Sequence, residues 1–122
     1  MRELGPLVLS ALARVEVPAA LWRKHRIGEL AAEDAELLSV EFAADFHGTA
    51  TEPPRFAAVA IVAEVLEMAA RLVAAHGLRA YDGVQLACAL AARSADPRCE
   101  AFACFDGALR RAAAARGLRP VP

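Results

Sequence analysis

Three carboxylates at or near helix starts are the residues whose type and spacing could do chemistry in this chain: Glu16, Asp82 and Asp106. Asp82 lies in the run His76-Gly-Leu-Arg-Ala-Tyr-Asp-Gly-Val-Gln-Leu-Ala-Cys-Ala-Leu90, where one helix ends, a short link follows and the next helix opens. A residue without a Cβ reaches positive φ at little cost, so Gly77 is the expected left-handed stop. Asp82 then falls where an N-cap or first-turn carboxylate belongs. Asp106-Gly107 directly follows an apolar run and opens another helix, and Glu16 interrupts an apolar pattern in the second turn of the first helix. Taken singly, each acid reads as a cap or a complement to the helix dipole. Taken together at one edge, they would repel one another and be expensive to desolvate, so a cation is the expected neutraliser. Oxygen donors suit a hard ion such as Mg²⁺ or Mn²⁺, whose chemistry is to activate water and to screen a phosphodiester's charge.

The elements that must position these acids follow from patterning. Leu7-Val8-Leu9-Ser10 reads as a buried strand, with Ser10 as a cap for a helix from Ala11 to about Arg26. In that helix Leu12, Val15, Ala19 and Trp22 recur at helical spacing, and Pro18 is expected to bend it. Residues 27–30 form a turn. A second helix over 31–46 offers Leu37, Leu38, Val40, Phe42 and Phe46 for burial, so that residues 27–54 make a helical-hairpin excursion ending in the Gly- and Pro-bearing loop 47–54. A short strand over 55–60 and a helix over 61–76 come next, the helix with Val62, Val65, Leu66, Ala69, Leu72 and Val73 on one face. The Asp82 helix runs to the Ser94–Pro97 region. A buried strand over 100–105, a helix over 108–116, a stop at Gly117 and a weak terminal strand complete the chain. Alternating strands and helices predict an α/β fold whose mostly parallel sheet is covered on both faces, with ligands expected where strands end and helices begin.

A length of 122 residues suits one domain with one core. Although 57% of residues are hydrophobic, charges break every apolar run well before a membrane span of about 20 residues, and no secretory leader pattern is present. The expectation is a cytoplasmic protein without membrane contact. The three cysteines lack metal-type spacing and read as small buried residues of a reduced compartment. A net charge of −1 argues against nucleic-acid binding by bulk charge. A nucleic-acid role would need local cations or metal ions.

Other residues carry two readings each. His25, His47 and His76 have no common metal spacing, and His76 beside Gly77 is expected to face the carboxyl end of its helix. Arg23-Lys24-His25-Arg26 reads first as a dipole complement at a helix end and second as a phosphate contact. Arg110, Arg111 and Arg116 are surface residues or, facing the acidic edge, a grip on a nucleic-acid strand. Trp22 and Phe42 pack the hairpin or form a dimer patch.

Three segments carry a resemblance: Leu12-Ala-Arg-Val-Glu-Val-Pro-Ala-Ala-Leu21, Gly77-Leu-Arg-Ala-Tyr-Asp-Gly-Val-Gln-Leu-Ala87 and Phe102-Ala-Cys-Phe-Asp-Gly-Ala-Leu-Arg-Arg-Ala-Ala113. In order and spacing they resemble the three later motifs of PIN-domain ribonucleases, the VapC toxins of bacterial toxin–antitoxin pairs above all. The resemblance implies a Mg²⁺- or Mn²⁺-dependent endoribonuclease with an α/β/α sandwich, a homodimer, an RNA substrate and a cognate antitoxin that enters the active-site groove. Carried over motif by motif, Glu16, Asp82 and Asp106 take the second, third and fourth acidic positions as catalytic and metal-ligating residues. That family opens with a strand ending in Asp-Thr/Ser-Ser-Ala, and its aspartate is a principal metal ligand. This chain opens at what resembles the family's second strand, so the expected fold is an N-terminally truncated, PIN-like three-layer sandwich lacking the strand at the sheet's centre. Two other functions follow. One is a PIN remnant with weak or no nuclease activity that still binds antitoxin or dimerises. The other is an unrelated helical domain whose acids are caps.

Overall fold

The computed structural model describes residues 7–103 and 106–121. Its elements are β1 (Leu7–Ser10), α1 (Ala13–Arg26), α2 (Ala32–His47), β2 (Phe56–Val59), α3 (Ala63–His76), α4 (Ala80–Ala95), β3 (Ala101–Ala103), α5 (Gly107–Ala115) and β4 (Arg119–Val121). The chain is therefore α/β, and both strand pairings are parallel. Leu7–Ser10 runs in register with Phe56–Val59, and Ala101–Ala103 with Arg119–Val121. The expected single sheet is corrected to two separate two-stranded sheets, β1–β2 and β3–β4. Each pair is joined by its own crossover, α1 and α2 in the first and α5 in the second, and no described segment adds a strand to link them. The expected strand end at Cys104 and Phe105 lies outside the described residues. Among the described residues no helix is long and apolar enough to cross a membrane.

The core gathers on α4, which packs against α3, β1, β2 and α5. Leu86, Ala87, Cys88 and Leu90 of α4 meet Val65, Ala69 and Leu72 of α3 and Leu109, Ala112 and Ala113 of α5. Burying each leucine contributes about 1.5–3 kcal/mol against leaving it in water. The loops that follow α3 and α5 are built alike. Gly77 adopts φ 65° and Gly117 φ 87°, and the next amides, those of Leu78 and Leu118, donate back to Val73 and Ala113. Each turn thus satisfies a helix-end carbonyl and returns a buried leucine to the core.

The helical hairpin departs from its expected burial. Only Ala13 of α1 and Ala35 of α2 are buried, while Leu12, Val15, Leu37, Leu38 and Val40 are exposed, Val15 at 67%. Val62 at the N-cap of α3 and Leu66 within it are exposed too, beside the buried Val65, Ala69 and Leu72. The reason is one-sided packing: α1 and α2 meet each other and α2 meets β2, so apolar residues on the remaining faces have no neighbour to cover them. Phe42 is held between Phe46 and Phe56, with ring centroids 5.9 Å away in each case. Pro18 lies inside α1, which runs unbroken from Ala13 to Arg26.

Candidate functional site

Helix α4 opens at Ala80, with Arg79 in extended conformation as its N-cap residue and no side-chain cap bond. Asp82 is thus the third helical residue, where a carboxylate faces the helix's unpaired amides and the positive end of its dipole. Its side chain is largely shielded, at 15% exposure. Asp106 caps α5 as expected: its Oδ1 accepts a hydrogen bond from the Leu109 amide at 2.9 Å. The two acids are brought together by a cation. Arg79 Nε lies 3.5 Å from Asp82 Oδ2, and Arg79 Nη2 lies 3.7 Å from Asp106 Oδ2. One guanidinium therefore spans carboxylates that lie 24 positions apart in the chain, at the starts of two different helices.

Arg79 pairs with those two acids, and Glu16 belongs to another helix. It is exposed in the first turn of α1 and lines a shallow groove of about 540 Å³ with Ala19, Ala20, Arg23, Lys24 and Arg26. Its connection to Asp82 runs through Tyr81, whose hydroxyl accepts a hydrogen bond from Gln85 Nε2 at 3.2 Å. Burial raises the Tyr81 phenol above its ordinary value, and the negative charges of Glu16 and Asp82 push it the same way, against the Gln85 bond. The phenol thus lies in the field of two of the three acids. Among the described residues, no three Asp, Glu, His or Cys side chains stand close enough to enclose a metal ion.

The donor set can be weighed on what is present. Asp82 and Asp106 offer hard oxygens and are already bridged by a positive group, and Mg²⁺ is commonly held by one or two carboxylates, the rest of its shell being water and substrate phosphate. Asp82 and Asp106 are oxygen donors of the kind such an ion takes.

Five of the remaining candidates, His25, His47, His76, Arg110 and Arg116, have structural partners. His47 Nε2 accepts from Arg14 Nε, His25 Nδ1 meets the Leu30 carbonyl, and His76 Nε2 accepts from Arg116 Nε at 3.1 Å. His76 therefore engages a neighbouring helix end through Arg116, rather than only the end of its own helix. Arg110 Nη1 donates to the Val121 carbonyl of β4, which ties α5 to its strand. Arg23-Lys24-His25-Arg26 form the last turn of α1, where cations complement the dipole. Ser10 is buried and its Oγ accepts from the Leu12 amide, two residues on, in the turn before α1 rather than at the helix cap. Burial raises the Cys88 thiol, with a contact to Ser10 opposing that rise.

Arg79 and Tyr81 were not singled out by sequence reasoning. The signal for Arg79 was present: a cation three residues before an acid at a helix start makes an i,i+3 pair. Comparison of the chain with protein-family models, with curated proteins and with solved structures gave no match.

Proposed function

We propose that this chain is a PIN-type, divalent-metal-dependent endoribonuclease of the VapC kind, acting on RNA with Mg²⁺ or Mn²⁺ in the cytoplasm, pairing with an antitoxin and forming a homodimer. The observation that carries this reading is that one guanidinium, that of Arg79, reaches both Asp82 and Asp106, the acids of the two later motifs, at the starts of α4 and α5. The strand pairs support a PIN-like sandwich as well. A parallel sheet without its central strand would leave two pairs, each with its own helical crossover, and β1–β2 and β3–β4 have that form. The exposed Val15, Leu37 and Val40 on the hairpin support a protein partner, since apolar residues open to water on neighbouring helices favour association.

A hard divalent ion, when bound, lowers the pKa of a coordinated water and screens the charge of a phosphodiester. Asp82 and Asp106 are the residues that would hold it. Shielding of the Asp82 carboxylate limits competition from bulk water, and the capping bond to the Leu109 amide fixes the orientation of the Asp106 carboxylate. Glu16, on its exposed turn, adds negative potential, and its neighbours Arg23 and Lys24 in the groove offer cations to substrate phosphates.

The test is RNA cleavage by the purified chain with Mg²⁺ or Mn²⁺ and with a chelator, compared with Asp82→Asn. The expected result is metal-dependent cleavage that falls by more than the roughly 10–100-fold cost of outer-shell changes at metal sites, with the circular dichroism spectrum unchanged. Equal cleavage by both proteins would overturn the assignment. A second reading, a non-catalytic module that binds antitoxin or dimerises, is favoured by the exposed Val15, Leu37 and Val40 of the hairpin. It predicts no metal-dependent cleavage by the parent chain and retained self-association or antitoxin binding.

A further inference from the structure

The cation between Asp82 and Asp106 belongs to the chain itself. Arg79 stands at the N-terminus of α4 and reaches the N-cap residue of α5, so its charge faces the positive ends of two helix dipoles, the unfavourable end for a cation. The two carboxylates offset this. Its contacts, at 3.5 and 3.7 Å, are longer than direct charge-assisted hydrogen bonds of about 2.7–2.9 Å. Its side chain is 82% exposed, and an exposed ion pair of this kind is weakly held. The guanidinium is therefore placed where its single charge offsets part of the charge of both acids, in contacts that are weakly held.

We infer that Arg79 and a divalent cation are alternative occupants of the space between Asp82 and Asp106, so that Arg79 sets the affinity of the pair for metal. The inference rests on the reading that these two acids hold a metal. An ion entering between them must first displace the guanidinium, and its apparent affinity is lowered by the fraction of molecules in which Arg79 occupies the space. The same displacement releases a planar fork of donors matched to phosphate oxygens at the edge of the site. Arg79 is on this account a positioning residue: it offsets part of the charge of the two acids when no metal is bound and yields when one is.

The experiment is Mn²⁺ binding by the full chain, followed by the electron paramagnetic resonance signal of free Mn²⁺, for the parent protein, Arg79→Gln, Arg79→Lys and Asp82→Asn. Arg79→Gln is expected to bind Mn²⁺ about two- to fivefold more tightly, and Asp82→Asn to lose binding. Arg79→Lys is expected to fall between the parent and Arg79→Gln, because a single ammonium cannot span two carboxylates as a guanidinium fork does. Circular dichroism checks that each variant folds. Equal or weaker Mn²⁺ binding by Arg79→Gln would overturn the inference and leave the metal reading standing. Parent-like binding by Arg79→Lys would reduce the effect to net charge and overturn the bridging role. Absence of Mn²⁺ binding from both the parent and Arg79→Gln would overturn the metal reading and the inference with it.

Discussion

Gly83→Ala tests how tightly the helix start carrying Asp82 is packed. Gly83 is buried where α4 lies on α3, and a Cβ built there would come 2.5 Å from Val73 Cγ2 and 3.2 Å from the Ala69 carbonyl oxygen. Two effects oppose each other. Alanine in a helix interior is favoured over glycine by about 1 kcal/mol. Against this, Val73 is β-branched and has essentially one rotamer open to it in a helix, and the Ala69 carbonyl is fixed in the α3 backbone, so neither neighbour gives way cheaply. Overpacking of this kind costs about 1–3 kcal/mol, and the 2.5 Å approach belongs towards the upper end. The collision wins, with a net loss of about 1–2 kcal/mol, or roughly 3–6 °C in Tm per kcal/mol for a chain of this size. Urea unfolding followed by circular dichroism measures it. Repeating the substitution in a Val73→Ala background removes the nearest obstacle, and there Gly83→Ala should be neutral or stabilising by up to about 1 kcal/mol. A stabilising Gly83→Ala in the parent chain, or the same change in both backgrounds, would refute the packing argument.

Two further predictions follow from single side chains. Tyr81 is the one tyrosine of the sequence, so absorbance near 295 nm reads its ionisation alone. The native titration should have its midpoint above 10.0, because of burial first and then the charges of Glu16 and Asp82, and Glu16→Gln should move it back towards that value. Since folding raises this pKa, the phenol's contribution to stability is complete below the unfolded value near 10 and disappears as pH rises through the folded value. Urea midpoints measured across that range should fall with pH, and less so in Tyr81→Phe. Asp106→Ala removes the acceptor for the Leu109 amide and should cost about 1 kcal/mol in urea unfolding. Asp106→Asn keeps a good cap and should keep the stability, so an equal loss in both would assign the effect to the charge facing Arg79 instead.

Local chemistry was legible in the sequence to within a residue or two. Leu7–Ser10 is the first strand as read, His76 ends α3 before a left-handed Gly77, and Asp106 caps α5. These depend on contacts within a few residues. What depended on distant partners was not legible. Periodicity in α2 marked Leu37 and Val40 as apolar without saying whether anything covers them, and α1 covers only one side. Asp82 was expected to open its helix, but the extended backbone at Arg79 starts α4 earlier and turns that arginine towards both acids. Meeting Asp106 requires the fold, because the second acid comes from another helix. The division into two strand pairs was not legible, since strand patterning specifies faces and not neighbours, and one mostly parallel sheet was expected where two pairs form.

The split sheet decides which part of the molecule opens first. Two-stranded ladders of three or four residues are marginal by themselves, and here each strand has one edge without a strand partner among the described residues. Leu72, Leu86 and Leu109, the largest fully buried side chains, all belong to helices. Helices α3, α4 and α5 therefore form the cooperative unit, and the strands open as local fluctuations on its surface. Asp82, on α4, is anchored in the unit that opens last, whereas Glu16 belongs to a hairpin in which Ala13 of α1 and Ala35 of α2 are the buried residues.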